Sequence, residues 1–147
     1  MNMKKKSINF YGLIHYKKNE NTKLNFKSSS DQEKIIVYLK NAFLLSNQLN
    51  DKGFNFILLT NNKNYINRLL KKINCKIKVK EIKFKTLVRK NTHFYSCHYR
   101  VDVFRYFSSI KNSYSILIDL DTIAINKLSK NYFLNYFNYG FVNNITK

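Results

Sequence analysis

Two carboxylates, Asp119 and Asp121, stand i, i+2 at the end of an isoleucine-rich apolar run, Ile116–Ile125. On a strand, alternate residues share a face, so the two can aim at one point. Carboxylates that close repel each other unless a proton or cation lies between them. Oxygen ligands of this kind suit a hard ion, Mg²⁺ or Mn²⁺, bridging to a phosphate. The competing reading is a pair of solvated aspartates in a strand-end turn. Asp102 and Arg105 form a second constellation at i, i+3, on one helix face, with Arg100 a turn earlier. An arginine fork can clamp a diphosphate, and an aspartate can accept hydrogen bonds from sugar hydroxyls. The alternative there is an exposed ion pair worth under ~0.5 kcal/mol. Cys97 and His98 are adjacent and so point in different directions on a helix. With His15 and His93 they do not make the four convergent ligands that zinc requires.

The elements that must position these residues follow from periodicity. Ser7–Tyr16 reads as a first strand, and Tyr11 near its end could stack on a base. Ser30 and Glu33 form a capping box, followed by helically spaced Ile35, Ile36, Leu39, Phe43, Leu45 and Leu49, with Gly53 as the stop. Phe54–Thr60 is a buried strand. Asn61-Asn62 turn the chain into a helix outlined by Tyr65, Ile66, Leu69, Leu70 and Ile73. Lys76–Lys85 alternates lysine with apolar residues, as a strand with one wet face near a sheet edge does. Tyr95–Ile110 is helical, with Val101, Phe104, Phe107 and Ile110 on one side, and Asn112-Ser113 break it before the Asp-x-Asp strand. Tyr136–Ile145 reads as a last strand. Strands alternating with helices predict an α/β fold, a mainly parallel, Rossmann-like sheet flanked by helices. No G-x-G-x-x-G or P-loop is present.

At 147 residues, 1–147 is expected to be a single domain. An apolar fraction of 44% argues against disorder, and no apolar run is long enough to span a membrane. Two cysteines make no disulfide framework, and nothing marks the N-terminus as a signal peptide, so a cytoplasmic protein is expected. The net charge is +19, from 27 basic and 8 acidic residues. A field of that sign attracts nucleic acid, anionic lipid or acidic substrates. Lysine dominates, beside abundant Asn, Ile, Tyr and Phe, all with A/T-rich codons. Base composition thus accounts for part of the excess, and the charge singles out no partner. The basic stretch from Arg68 to Lys90 is read first as a solvated edge strand and second as a contact for an anionic membrane or polyanion.

Taken together, Tyr99-Arg100-Val101-Asp102-Val103-Phe104-Arg105-Tyr106 and Ile116-Leu117-Ile118-Asp119-Leu120-Asp121-Thr122 resemble GT-A glycosyltransferases with the DXD motif. The nearest branches are glycosyltransferase family 32, with Asp-x-x-Arg-Tyr followed by hydrophobic-Asp-x-Asp, and family 8. The resemblance implies a GT-A-like fold and transfer of a sugar from a nucleotide-diphospho-sugar donor to a glycan or lipid-linked acceptor, as in polysaccharide biosynthesis. It implies Mn²⁺ or Mg²⁺ held by Asp119 and Asp121, and donor contacts from Arg100, Asp102, Arg105 and Asp119. It also carries Asn138, in Asn138-Tyr139-Gly140, onto the donor site. The partners implied are the donor, the acceptor and a peripheral contact with anionic lipid at the inner face of the membrane, with no specific nucleic acid. Two departures stand out. Asn112-Ser113-Tyr114-Ser115 replaces a Gly-Gly-hydrophobic-Tyr lead-in, and the resemblance covers Ser7 to Ile145, the donor half alone, so a C-terminally truncated transferase is expected. Two alternatives stay open: a phosphatase of the haloacid dehalogenase type, whose nucleophile strand ILIDLDTI is similar to, and a basic nucleic-acid or polyanion-binding module without catalysis.

Overall fold

The computed structural model describes residues 7–16, 30–89, 95–111 and 113–122. The order is β1 (Ser7–Ile14), α1 (Asp31–Asp51), β2 (Asn55–Thr60), α2 (Lys63–Lys72), β3 (Val79–Glu81), α3 (Tyr95–His98), α4 (Arg100–Ser108) and β4 (Ser113–Leu117). The four strands form one all-parallel sheet in the order β3-β2-β1-β4. This is the α/β, Rossmann-like architecture expected from the alternation of elements.

Local chemistry sets most boundaries. Ser30 caps α1, its side-chain oxygen accepting from the Glu33 N–H at 3.3 Å. Gly53 follows the helix with φ 74, the left-handed turn that a glycine takes without strain. Asn62 caps α2 by accepting from the Tyr65 N–H at 3.0 Å. Asn61 then ties two strand ends together: its side-chain amide accepts from the Tyr16 N–H at 2.7 Å and donates to the Tyr16 carbonyl at 2.6 Å.

The two central strands, β1 and β2, alternate their buried residues between two helical layers. Ile8, Phe10 and Ile14 of β1, with Phe56 and Leu58 of β2, pack under α1 and α2 against Leu39, Leu45, Ile66 and Leu69. Tyr11, Ile57 and Leu59 face the other way and pack against Val103 of α4 and against Ile82. Both sides of the sheet are therefore covered, as a parallel sheet requires.

Three expected segments differ. Lys76–Lys85 pairs as a strand only over Val79–Glu81, at the sheet edge. After Ile82, whose N–H donates to the Thr60 carbonyl at 2.9 Å, the chain leaves the edge, and Phe84 joins the layer beneath α4. The helix expected over Tyr95–Ile110 is divided at Tyr99 into α3 and α4. Strand β4 begins at Ser113, because Ser113, Tyr114 and Ser115 pair with Ser7, Ile8 and Asn9, and it ends at Leu117. The strand expected over Tyr136–Ile145, with Asn138, lies outside the described residues, as does Ile123–Ile125.

Candidate functional site at the topological switch point

The sheet grows from β1 toward β2 and β3 through helices on one face, then returns through α4 on the other face to place β4 on the opposite side of β1. The strand order thus reverses between β1 and β4, with the crossover leaving β1 on one face and the crossover entering β4 on the other, and the carboxyl ends at such a reversal are where ligands bind in open α/β sheets. Residues 118–122 emerge there. They form a turn closed by the Thr122 N–H donating to the Asp119 carbonyl at 3.2 Å. Asp119 and Asp121 are therefore turn residues beyond the strand, and the strand pleat expected to align them does not reach them.

Leu120 holds the turn in place. It is buried in the core beneath α1, contributing about 1.5–3 kcal/mol by the usual value for a leucine side chain. Its seat exists because residue 12 of β1 is a glycine. A Cβ there would come within 2.3 Å of Leu120 Cδ2 and 2.9 Å of Phe56 Cζ. Gly12 is thus a site-shaping residue. In the sequence it shows only as a break in an apolar strand.

The two carboxylates flanking Leu120 meet different neighbours. Asp119 Oδ1 accepts from Arg100 Nη2 at the start of α4, in an ion pair open to solvent on both sides. Asp121 is exposed and stands near Tyr38 of α1. Burial pushes the Tyr38 hydroxyl up from its ordinary value, and the Asp121 charge pushes it further. The crevice beside Asp119 measures about 60 Å³ and is lined by Leu13, Cys97, Arg100, Leu117 to Asp119 and Leu120. That is room for an ion with its waters, well below the volume of a small-molecule pocket. Cys97 is exposed at its rim, and no group of three or more His, Cys, Asp or Glu converges among the described residues.

Asp102 and Arg105 stand elsewhere. The Arg105 guanidinium donates to Asp102 Oδ1 at 3.0 Å, and the Thr86 N–H donates to Asp102 Oδ2 at 2.9 Å. Burial of Asp102 pushes its carboxyl up. Hydrogen bonds from Thr86, from the Lys85 backbone and from Arg105 outweigh burial and hold it below its ordinary value. This pair borders a second hollow that shares no residue with the crevice. The structure brings Arg100 and Asp119 together and sets Asp102 and Arg105 apart from them.

Two sequence readings are corrected here. Val101 and Phe104 do not pack on the sheet: they are 48% and 54% exposed, and α4 buries Asp102 and Val103 instead. Burying Asp102 gives the Thr86 N–H an acceptor that a valine could not supply. Tyr11 is not available to stack on a base, since it is buried against Tyr106 and Phe107 beneath α4. His15 packs as a ring, stacked on Tyr99 with centroids 3.8 Å apart and edge-on to Phe84. No helix among the described residues is long and apolar enough to cross a membrane.

Comparison with known proteins finds no matching family model, no matching curated protein and no matching solved structure.

Proposed function

We propose that this chain binds the donor of a metal-dependent glycosyltransferase reaction, seating the metal and diphosphate end of a sugar nucleotide at the β1/β4 switch point, for transfer of the sugar to a glycan or lipid-linked acceptor. The observation that carries the reading is the placement of Asp119, Asp121 and Arg100 at the carboxyl ends of β1 and β4, on a turn anchored by Leu120. A cation held by this turn beside the Arg100 guanidinium would suit a diphosphate better than a neutral ligand.

The donor set fits Mg²⁺ or Mn²⁺. Such an ion takes one or two carboxylates and completes its shell with water and substrate phosphate, so a single carboxylate of this turn would suffice to hold it without a protein cage. Asp121 is assigned as a direct ligand, and Asp119 as a ligand or a ribose contact. When bound, the ion supplies charge stabilisation to the departing nucleoside diphosphate. Arg100 orients the Asp119 carboxylate and has a fork that would serve phosphate oxygens. Asp102 and Arg105 draw no support as direct donor contacts, because they line the other hollow, and the reading rests on the first three residues.

Calorimetric titration of UDP- and GDP-sugars with Mn²⁺ into the wild-type chain and into Asp121→Asn tests the assignment. Metal-dependent binding that weakens at least tenfold in the variant is the expected result. Undiminished binding removes Asp121 from the site, and no metal-dependent binding of any sugar nucleotide removes the transferase reading.

A further inference from the structure

The flank of α4 away from the switch point carries a hollow of about 320 Å³, walled by Lys80 to Lys83, Lys85 and three residues of α4, Asp102, Arg105 and Tyr106. Its size falls in the range of small-molecule sites. Four cations border it, Lys80, Lys83, Lys85 and Arg105, against two carboxylates. Both carboxylates are already engaged. Glu81 Oε2 accepts from the Lys63 N–H at 2.8 Å, in the first turn of α2. Asp102 accepts from Thr86 and Arg105. Neither Lys83 nor Lys85 makes an ion pair among the described residues.

A lysine-rich edge strand has a purely protective use, keeping other strands from pairing with it. That use needs lysines directed into water. It does not account for Lys80, whose ammonium lies 4.8 Å from the centroid of the Tyr106 ring on α4. Nor does it account for an arginine held by a carboxylate that is 2% exposed while the guanidinium remains 64% exposed. Side chains of one charge sign gathered around a concavity focus their field into it and concentrate counter-ions there.

We propose that this hollow is a binding site for a phosphate-class oxyanion, independent of the switch-point crevice. Arg105, fixed by Asp102, presents its remaining N–H groups to the oxyanion, and Lys83 and Lys85 supply mobile point charges. Ile82 and the Tyr106 ring form an apolar wall for the rest of a phosphorylated molecule. The shared chemistry is the phosphate group, carried by a free small molecule or by a lipid headgroup.

The test is calorimetric titration of inorganic pyrophosphate with a chelator present, so that no carboxylate-bound metal contributes. Three proteins are compared: wild type, Lys83→Ala/Lys85→Ala, and Lys71→Ala/Lys72→Ala, which removes the same charge from the last turn of α2. Affinity should fall about tenfold or more in the first variant and stay within about twofold in the second. Equal losses in both variants reduce the effect to net charge and overturn the site, as does an absence of wild-type binding. A second arm spins the wild type and the Lys83/Lys85 variant with phosphatidylglycerol vesicles. Retention of wild type alone supports the site with a headgroup as its ligand, and pyrophosphate binding without retention supports it with a free phosphate compound.

Discussion

Helix α4 carries two Arg–Asp pairs of the same chemistry, and their surroundings make them different devices. Arg100 and Asp119 join α4 to the turn after β4 with both side chains open to water, 41% and 61% exposed. Such a pair contributes under ~1 kcal/mol, and either partner can exchange the other for a ligand at little cost. Arg105 and Asp102 lie within one helix, but Asp102 is buried and also satisfies the Thr86 N–H from the segment after β3. Losing that carboxylate strands a partly buried donor, so the pair is part of the scaffold on its acidic side and part of the surface on its basic side. Identical residue types thus divide into an exchangeable contact and a fixed one according to what else the carboxylate must satisfy.

The sharpest way to break that contrast is Asp102→Ala. It should lower stability by about 2–3 kcal/mol in urea denaturation, through the unpaired Thr86 N–H and the lost anchoring of the 82–89 segment. Acid provides a second reading of the same group. The folded carboxyl sits below its ordinary 3.8, so its stabilisation is present above that pH and drains as pH falls further, through the folded value. The wild-type minus Asp102→Ala stability difference should therefore hold constant from neutral pH to about 4 and shrink only below it. A difference that shrinks between pH 7 and 5 contradicts the assignment.

Gly12→Ala comes next, at about 1–2 kcal/mol, since overpacking must displace Leu120 or Phe56. Leu120→Ala should then relieve the clash, so a double-mutant cycle should give a coupling of about 1 kcal/mol or more. Strict additivity would show that the turn is not seated on Gly12. Smaller still is Arg100→Ala, under ~0.5 kcal/mol, with Asp119→Ala the same. If either costs as much as Asp102→Ala, the two pairs are not different devices. Smallest is Val101→Ser, close to no change in thermal melting, because the side chain already faces solvent.

Much of the fold is legible before any coordinates. The capping box at Ser30 and Glu33, the stop at Gly53 and the Asn62 cap act within a few residues, and local hydrogen bonding settles them. The lysine alternation of 76–85 announces an edge, because a central strand of a covered sheet cannot present one wet face. The candidate site is less legible. Asp119 and Asp121 stand out by type and spacing, whereas Gly12 and Asn61 carry no chemical signal of their own. Their importance arises from what approaches them across the sheet, Leu120 and Tyr16.

Helix α4 marks the boundary between the two kinds of information. Its sequence sets Val101, Phe104, Phe107 and Ile110 at helical spacing, yet Phe107 and Ile110 pack beside Val103 and Tyr106 while Val101 and Phe104 face solvent. Periodicity alone cannot say which edge of such a stripe faces the sheet. The sequence by itself determined that strands and helices alternate, that the sheet is mainly parallel and, to within a residue or two, where β1, β2 and the two helices α1 and α2 lie. Tertiary structure alone decided that β4 joins β1 to create a switch point, that Asp119 meets Arg100, and that α4 buries its Asp102 side. The physical reason is one of range. Caps and periodicity are satisfied within a turn or two of chain, whereas the face a helix buries is set by what distant segments bring to it. Here those are Tyr11, Ile57 and Leu59 of the sheet, which pack against Val103, and the Thr86 N–H, sixteen residues from the carboxylate that accepts from it.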